Sequence, residues 1–225
     1  MQARIERIGA GRAPVIVLEE LSGAPAALVE QAAEVQSQFH VRSKLYPGIR
    51  TPAPQSYREN LATQLRAIVC TAFDWQGDIE VTESNFSLVT TPAPELTPFQ
   101  RIPHFDGTDT EELAVLHYLC RPQQGGTSFY RHRSTGYEMI TRDRLEGYMR
   151  TLNSEARALG LPPAEYVNGD TPLFERIAHY EAAFDRAIVY RGASLHSGDI
   201  PPDFVPDADP RTGRLTVNSF LHLVA

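Results

Sequence analysis

The chain has 225 residues, 42% of them hydrophobic and 22% charged, which is enough for one large domain with a buried core. Its 21 basic and 28 acidic residues leave a net charge of −7, and no basic block is interleaved with aromatics, so nucleic acid is not an expected partner. Cys70 and Cys120 are far apart and lack metal-site spacing; they read as buried thiols of a reducing compartment. No apolar leader core opens the sequence, and no apolar run approaches the roughly 20 residues of a membrane span. The expectation is a cytoplasmic protein without a membrane partner.

Ile5 to Ile8 and Val15 to Leu18 read as short strands. Pro25 opens a helix predicted through Gln38, with Leu28, Ala32, Val35 and Phe39 on one face. The proline-dense stretch YPGIRTPAP is predicted to be a fixed loop. A second helix is predicted from Ser56 to Cys70, striped by Leu61, Leu65, Ile68 and Val69. Ile79 to Thr90 suggests two strand pieces around Asn85, and a Pro-rich turn leads into FQRIPHFD. Leu113 to Cys120 is an apolar strand, PQQGG a turn and TSFYRH a further strand. Asp143 to Leu159 is a strongly amphipathic helix that Gly160 is placed to stop, and Leu173 to Ala182 reads as a shorter helical piece. Ala187 to Arg191 and Arg214 to Leu223 are closing strands around the loop DIPPDFVPDADPRTG. With no repeat and no linker, residues 1–225 are expected to form a single mainly β domain. It would be a barrel with N-terminal helices and a helical insertion at about 134–182.

Iron(II) that must also bind a cosubstrate and oxygen uses two histidines and one carboxylate, which leaves positions open. Two H-x-D/E pairs occur: His104-Phe105-Asp106 and His179-Tyr180-Glu181. The first lies in an extended context, where residues two apart point to the same side. The second lies in a segment that reads as helix, where i and i+2 diverge by about 200°, so His179 is expected to be structural. His196, in YRGASLHSGD, is the candidate third ligand; its alternative is a turn histidine satisfying a local hydrogen bond. In the last strand Arg214, Thr216 and Asn218 share a face. A buried guanidinium needs a partner, and a dicarboxylate ligand would supply one; the alternative is an exposed Arg214 paired with an acid such as Asp209. Tyr118 stands on an inward strand face, as a hydrogen-bond donor to the same ligand or as a core aromatic.

PHFDG, LAVLHYLC, GGTSFY, LHSGD and GRLTVNSF, in that order, resemble the Fe(II)/2-oxoglutarate-dependent dioxygenase superfamily and its prolyl-hydroxylase-like branch. The resemblance implies a double-stranded β-helix (a jelly-roll, cupin-like barrel), with iron held by His104, Asp106 and His196. It also implies 2-oxoglutarate held by Arg214 with Thr216 and Tyr118, O2 as second cosubstrate, and hydroxylation of an unactivated C–H with release of succinate and CO2. It covers mainly residues 99–131 and 187–222. The loops at the barrel mouth are expected to set specificity for an amino acid, a peptide or a small metabolite. Arg50 and Arg191 are candidate contacts for an anionic group on the substrate, and Asn218 is a third candidate. Two rival readings remain: a cupin-like metal-dependent dioxygenase or isomerase without 2-oxoglutarate, and a non-catalytic ligand-binding or scaffold barrel. The Arg214/Thr216 face separates the first rival from the oxygenase; oligomeric state is not written in the sequence.

Overall fold

The computed structural model describes residues 1–224. In chain order the elements are β1 (Gln2–Ile8), β2 (Ala13–Glu19), α1 (Pro25–Glu34), β3 (Gly48–Pro52), α2 (Gln55–Phe73), β4 (Asp78–Val89) and β5 (Glu112–Tyr118). Then come β6 (Gly126–His132), α3 (Arg142–Leu159), β7 (Phe174–Glu181), β8 (Ala187–Arg191), β9 (His196–Asp199) and β10 (Leu215–Val224). Seven strands form one sheet in the order β1-β2-β8-β5-β10-β4-β3, and three form a second, β7-β6-β9. Neighbouring strands run antiparallel throughout.

The central strands of the larger sheet are apolar on both faces because both faces are covered. Ile16, Leu18, Leu113, Val115, Val189 and Leu221 pack against Leu61, Leu65 and Val69 of α2. Their strand neighbours Val17, Ala114, Leu116, Ile188 and Tyr190 turn the other way and meet Phe129 and Tyr180 of the second sheet. α1 covers Phe86, Leu88, Leu215 and Val217 through Leu28, Val29 and Ala32. On the far side, Tyr148 and Leu152 of α3 pack on Tyr130 and Phe174. The layers are therefore helices, large sheet, small sheet and helix. Full burial of a leucine such as Leu65, at 0% exposure, stabilises by about 1.5–3 kcal/mol.

The expected barrel takes the form of two facing antiparallel sheets. The helical piece predicted at Leu173 to Ala182 is instead β7, which pairs along β6 from Gly126↔Glu181 to His132↔Phe174. Its Glu- and Ala-rich composition favours helix, and strand pairing overrides that preference. The insertion therefore contributes α3 to one face and an edge strand to the sheet. β4 is continuous rather than two pieces: a bulge at Thr82, opposite the Phe220/Leu221 step, absorbs the irregularity. The proline-dense stretch contains β3, an edge strand that ends at Pro52, where a missing N–H costs no ladder bond to a further strand. The first helix stops at Glu34, and residues 36–38 form a separate 3₁₀ turn. The β5–β6 turn depends on its glycine pair. Gly125 has φ +92°, and a Cβ on Gly126 would run into the Tyr180 carbonyl of β7.

Candidate metal centre

The segment after the 3₁₀ turn Pro98–Arg101 runs extended across the end of the small sheet. There His104 and His196 form an isolated antiparallel bridge, each N–H donating to the other's carbonyl at 2.8 Å. Two residues on, the Asp106 N–H donates to the Gly192 carbonyl at 2.8 Å, at the end of β8. These three backbone anchors bring both halves of His104-x-Asp106 to the start of β9. The His196 Nε2 lies 3.5 Å from one Asp106 oxygen and the His104 Nε2 3.9 Å from the other. One donor atom from each residue fits within 4.8 Å of the other two, within reach of a single ion.

The donor set fits a divalent iron. The buried His196 ring has its Nδ1 2.9 Å from the Ser194 carbonyl, which places the proton on Nδ1 and leaves the Nε2 lone pair free. The turn hydrogen bond considered as an alternative to ligation is therefore present, and it leaves Nε2 as the nitrogen that faces Asp106. Tyr190 supports the same ring edge-on at 4.8 Å between centroids. His104 keeps half of its side chain open to the pocket. The protein around it, with the neighbouring His196 and Arg50, pushes its pKa below the ordinary imidazole value, the direction that favours a neutral ring. Surrounding protein raises the Asp106 carboxyl, while His196 and Arg50 pull it back down.

These ligands open into a pocket of about 130 Å³ between the sheets. Arg214, Thr216, Asn218 and Phe220 line it from β10 and its start, and Ala114 and Leu116 from β5. Arg214 is only 4% exposed. Its Nε donates to the Gln124 carbonyl at 3.0 Å and its Nη2 to the Gly126 carbonyl at 2.8 Å, so the glycine turn forms its cradle. No carboxylate pairs with it among the described residues, which excludes the exposed Arg214–Asp209 alternative. Thr216 Oγ1 donates to Asn218 Oδ1 at 2.7 Å. Arg50 also lines the pocket. Tyr118 is fully buried behind the wall, its hydroxyl donating at 2.7 Å to Thr127, which does line the pocket. Tyr118 therefore reaches the site through Thr127.

Two expectations from the sequence resolve differently. Arg191 is not brought to the pocket: Tyr190 faces inward, and the two-residue strand period turns Arg191 to the opposite face. There its guanidinium lies 5.2 Å from the Phe73 ring and donates to the Thr110 carbonyl. His179 is structural as expected, but from a strand, with Nδ1 2.7 Å from Asp199. Tyr46, Thr127 and Tyr190 also line the pocket without having been singled out from the sequence. Thr127 was legible, since GGTSFY places it and Phe129 on one face; Tyr46 sits in a loop whose path no periodicity reveals.

A profile of the family of unknown function DUF6445 matches residues 1–221. Among curated proteins none matches this chain in sequence. Solved structures share its fold. HygX from Streptomyces hygroscopicus with iron bound aligns at TM-score 0.51 and 13% identity, over 92% of this chain and 81% of that one. The same protein with nickel and 2-oxoglutarate bound gives TM-score 0.50 and 13% identity, over 92% and 82%. The non-heme alpha ketoglutarate dependent carbocyclase SnoK from nogalamycin biosynthesis gives 0.51 and 11%, over 92% and 79%.

Proposed function

This chain belongs to the DUF6445 family, and from that footing we propose that it is a non-heme Fe(II)- and 2-oxoglutarate-dependent oxygenase. The reading treats the whole chain as one double-stranded β-helix domain of the prolyl-hydroxylase-like kind. The observation that carries it is one pocket holding both a His104/Asp106/His196 donor set and a buried arginine, Arg214, with no acid of its own. The fold it shares with HygX, a protein that has been crystallised with iron and with nickel and 2-oxoglutarate, supports the same reading.

In this reading His104, Asp106 and His196 would hold Fe(II). Arg214 pairs with the distal carboxylate of 2-oxoglutarate, its fork pre-aimed by the Gln124 and Gly126 carbonyls. Thr216 would add its hydroxyl by turning its proton from Asn218 to the ligand, and Tyr118 orients Thr127 beside it. Iron and cosubstrate together supply one chemistry: O2 and 2-oxoglutarate become succinate and CO2, and one oxygen atom is delivered to an unactivated C–H bond of an amino acid, peptide or small metabolite. Leu116, Tyr190 and Ile200 give the pocket apolar walls that exclude bulk water. The test is an anaerobic titration of the Fe(II)-loaded protein with 2-oxoglutarate, followed through the visible charge-transfer band of the chelate. A saturable band that His196→Ala loses supports the assignment. Bound iron without any band would instead favour a cupin-like enzyme that does not use the oxo acid.

A further inference from the structure

Arg50 is the second arginine of the pocket, and like Arg214 it has no acid partner among the described residues. Elsewhere in the fold Arg131, Arg186 and Arg211 each meet a glutamate at 2.6–2.8 Å. Arg50 projects from β3 with its guanidinium 3.9 Å above the Tyr46 ring, which holds the plane in place. Its Nε is buried without a hydrogen-bond partner. A buried charged donor left unsatisfied is costly, and is retained where a ligand completes it.

The charge balance narrows what that ligand is. Asp106 is the single acid lining the pocket among the described residues. With divalent iron and doubly charged 2-oxoglutarate in place, the iron, Asp106, Arg214 and the cosubstrate sum to zero. One positive charge remains, and it is on Arg50. We propose that Arg50, held flat by Tyr46, anchors a carboxylate of the primary substrate. The enzyme then selects small carboxylic acids, amino acids among them, over neutral or cationic compounds. The proposal rests on the 2-oxoglutarate reading above, because that reading commits Arg214 to the cosubstrate. A planar guanidinium fork matches a carboxylate bidentately, and the single leftover charge favours a monoanion over a phosphate dianion.

The test uses the full chain loaded with Fe(II) and 2-oxoglutarate without oxygen, with acetate as the anionic probe and acetamide as its neutral counterpart. Acetate is expected to perturb the charge-transfer band saturably, and acetamide is expected to leave it unchanged. In Arg50→Gln the acetate dissociation constant should rise at least tenfold, while 2-oxoglutarate binding stays within threefold of wild type. Arg50→Lys should recover only part of the acetate affinity. If acetate and acetamide act alike, or Arg50→Gln binds acetate normally, the proposal is overturned. It is equally overturned if Arg50→Gln weakens 2-oxoglutarate as strongly as Arg214→Gln does, since Arg50 would then serve the cosubstrate. A wild-type protein with no band at all sinks the oxygenase reading instead. Acetate calorimetry on metal-free Arg214→Gln, with and without Arg50→Gln, then judges the anion site separately.

Discussion

At the scale of single residues, the proposed iron ligands and Arg214, the proposed partner of the 2-oxoglutarate carboxylate, are tested separately. His104→Ala, Asp106→Ala and His196→Ala each remove a donor from a set whose backbone is held by main-chain bonds. Changes to the outer hydrogen-bond partners of metal ligands already cost about 10–100-fold in affinity, so losing a ligand should cost at least that much. The melting temperature of the metal-free chains should stay close to wild type. Iron retention and calorimetric melting check this; a variant that keeps full iron and turnover would remove that residue from the triad. Arg214→Gln deletes a charge-assisted contact of about 1.5–3 kcal/mol, about 10–150-fold in binding. It should therefore raise the 2-oxoglutarate KM by that order while iron binding is unchanged. An unaltered KM would take Arg214 out of cosubstrate binding.

At the scale of elements, helices with one dry stripe and strands with β-branched runs were legible, because each pattern matches a single period. α2 and α3 extend beyond or shift from their predicted ends by one to three residues, yet present the expected faces. β9 was not legible: His196–Asp199 is four residues long and contains a glycine, too short for alternation to register. β7 was misread because its local composition favours helix while its partner β6 lies far away in sequence. The triad was legible for a local reason, an extended H-x-D, but the third histidine needed chemistry rather than pattern. Arg50 was named from the sequence as a candidate substrate contact but placed in a loop, and Tyr46 was not named, since only the β3–β4 pairing turns Arg50 toward the pocket. Two substitutions test the packing at this scale. Leu65→Ala empties a fully buried site between α2 and the large sheet, and should cost about 2–5 kcal/mol in denaturant unfolding. Gly126→Ala places a methyl against the Tyr180 carbonyl and displaces the carbonyl that holds Arg214. It should destabilise by about 1–3 kcal/mol and also weaken 2-oxoglutarate; a loss of stability with cosubstrate affinity intact would show that the turn does not aim Arg214.

At the scale of the whole molecule, a buried polar chain joins elements that are distant in sequence. Tyr57 of α2 lies 3.1 Å from Nδ1 of His117, whose Nε2 is 2.9 Å from Asp185; Asp185 in turn accepts from the Ser22 hydroxyl at 2.7 Å and from the Gly23 N–H at 3.0 Å. Burial pushes the His117 pKa below its ordinary 6.5, outweighing the pull of Asp185, so the ring stays neutral, accepts from Tyr57 and donates to Asp185. For Asp185 burial opposes ionisation, but the hydrogen bonds from His117 and Ser22 outweigh it and hold the carboxyl at about 2. Both groups have lower pKa values folded than unfolded. The unfolded chain therefore takes up protons first, and stability falls as pH drops. The His117 contribution begins to fade below about 6.5, and that of Asp185 fades from the usual carboxylate range near 3.8 down to about 2. Melting scans from pH 7 to 3 should fall continuously, and Asp185→Asn should flatten the acid end; a flat wild-type profile would contradict the network's role. The His104–His196 bridge has a different consequence, for the apoprotein. Two of the three proposed ligands are fixed to each other by main-chain bonds that need no ion, so metal loading is expected to be a docking event rather than a folding event. Chelation should then leave circular dichroism and remote amide exchange unchanged. The ion's effect on stability should then reduce to mass action, about 2.7 kcal/mol at a hundredfold excess over its dissociation constant.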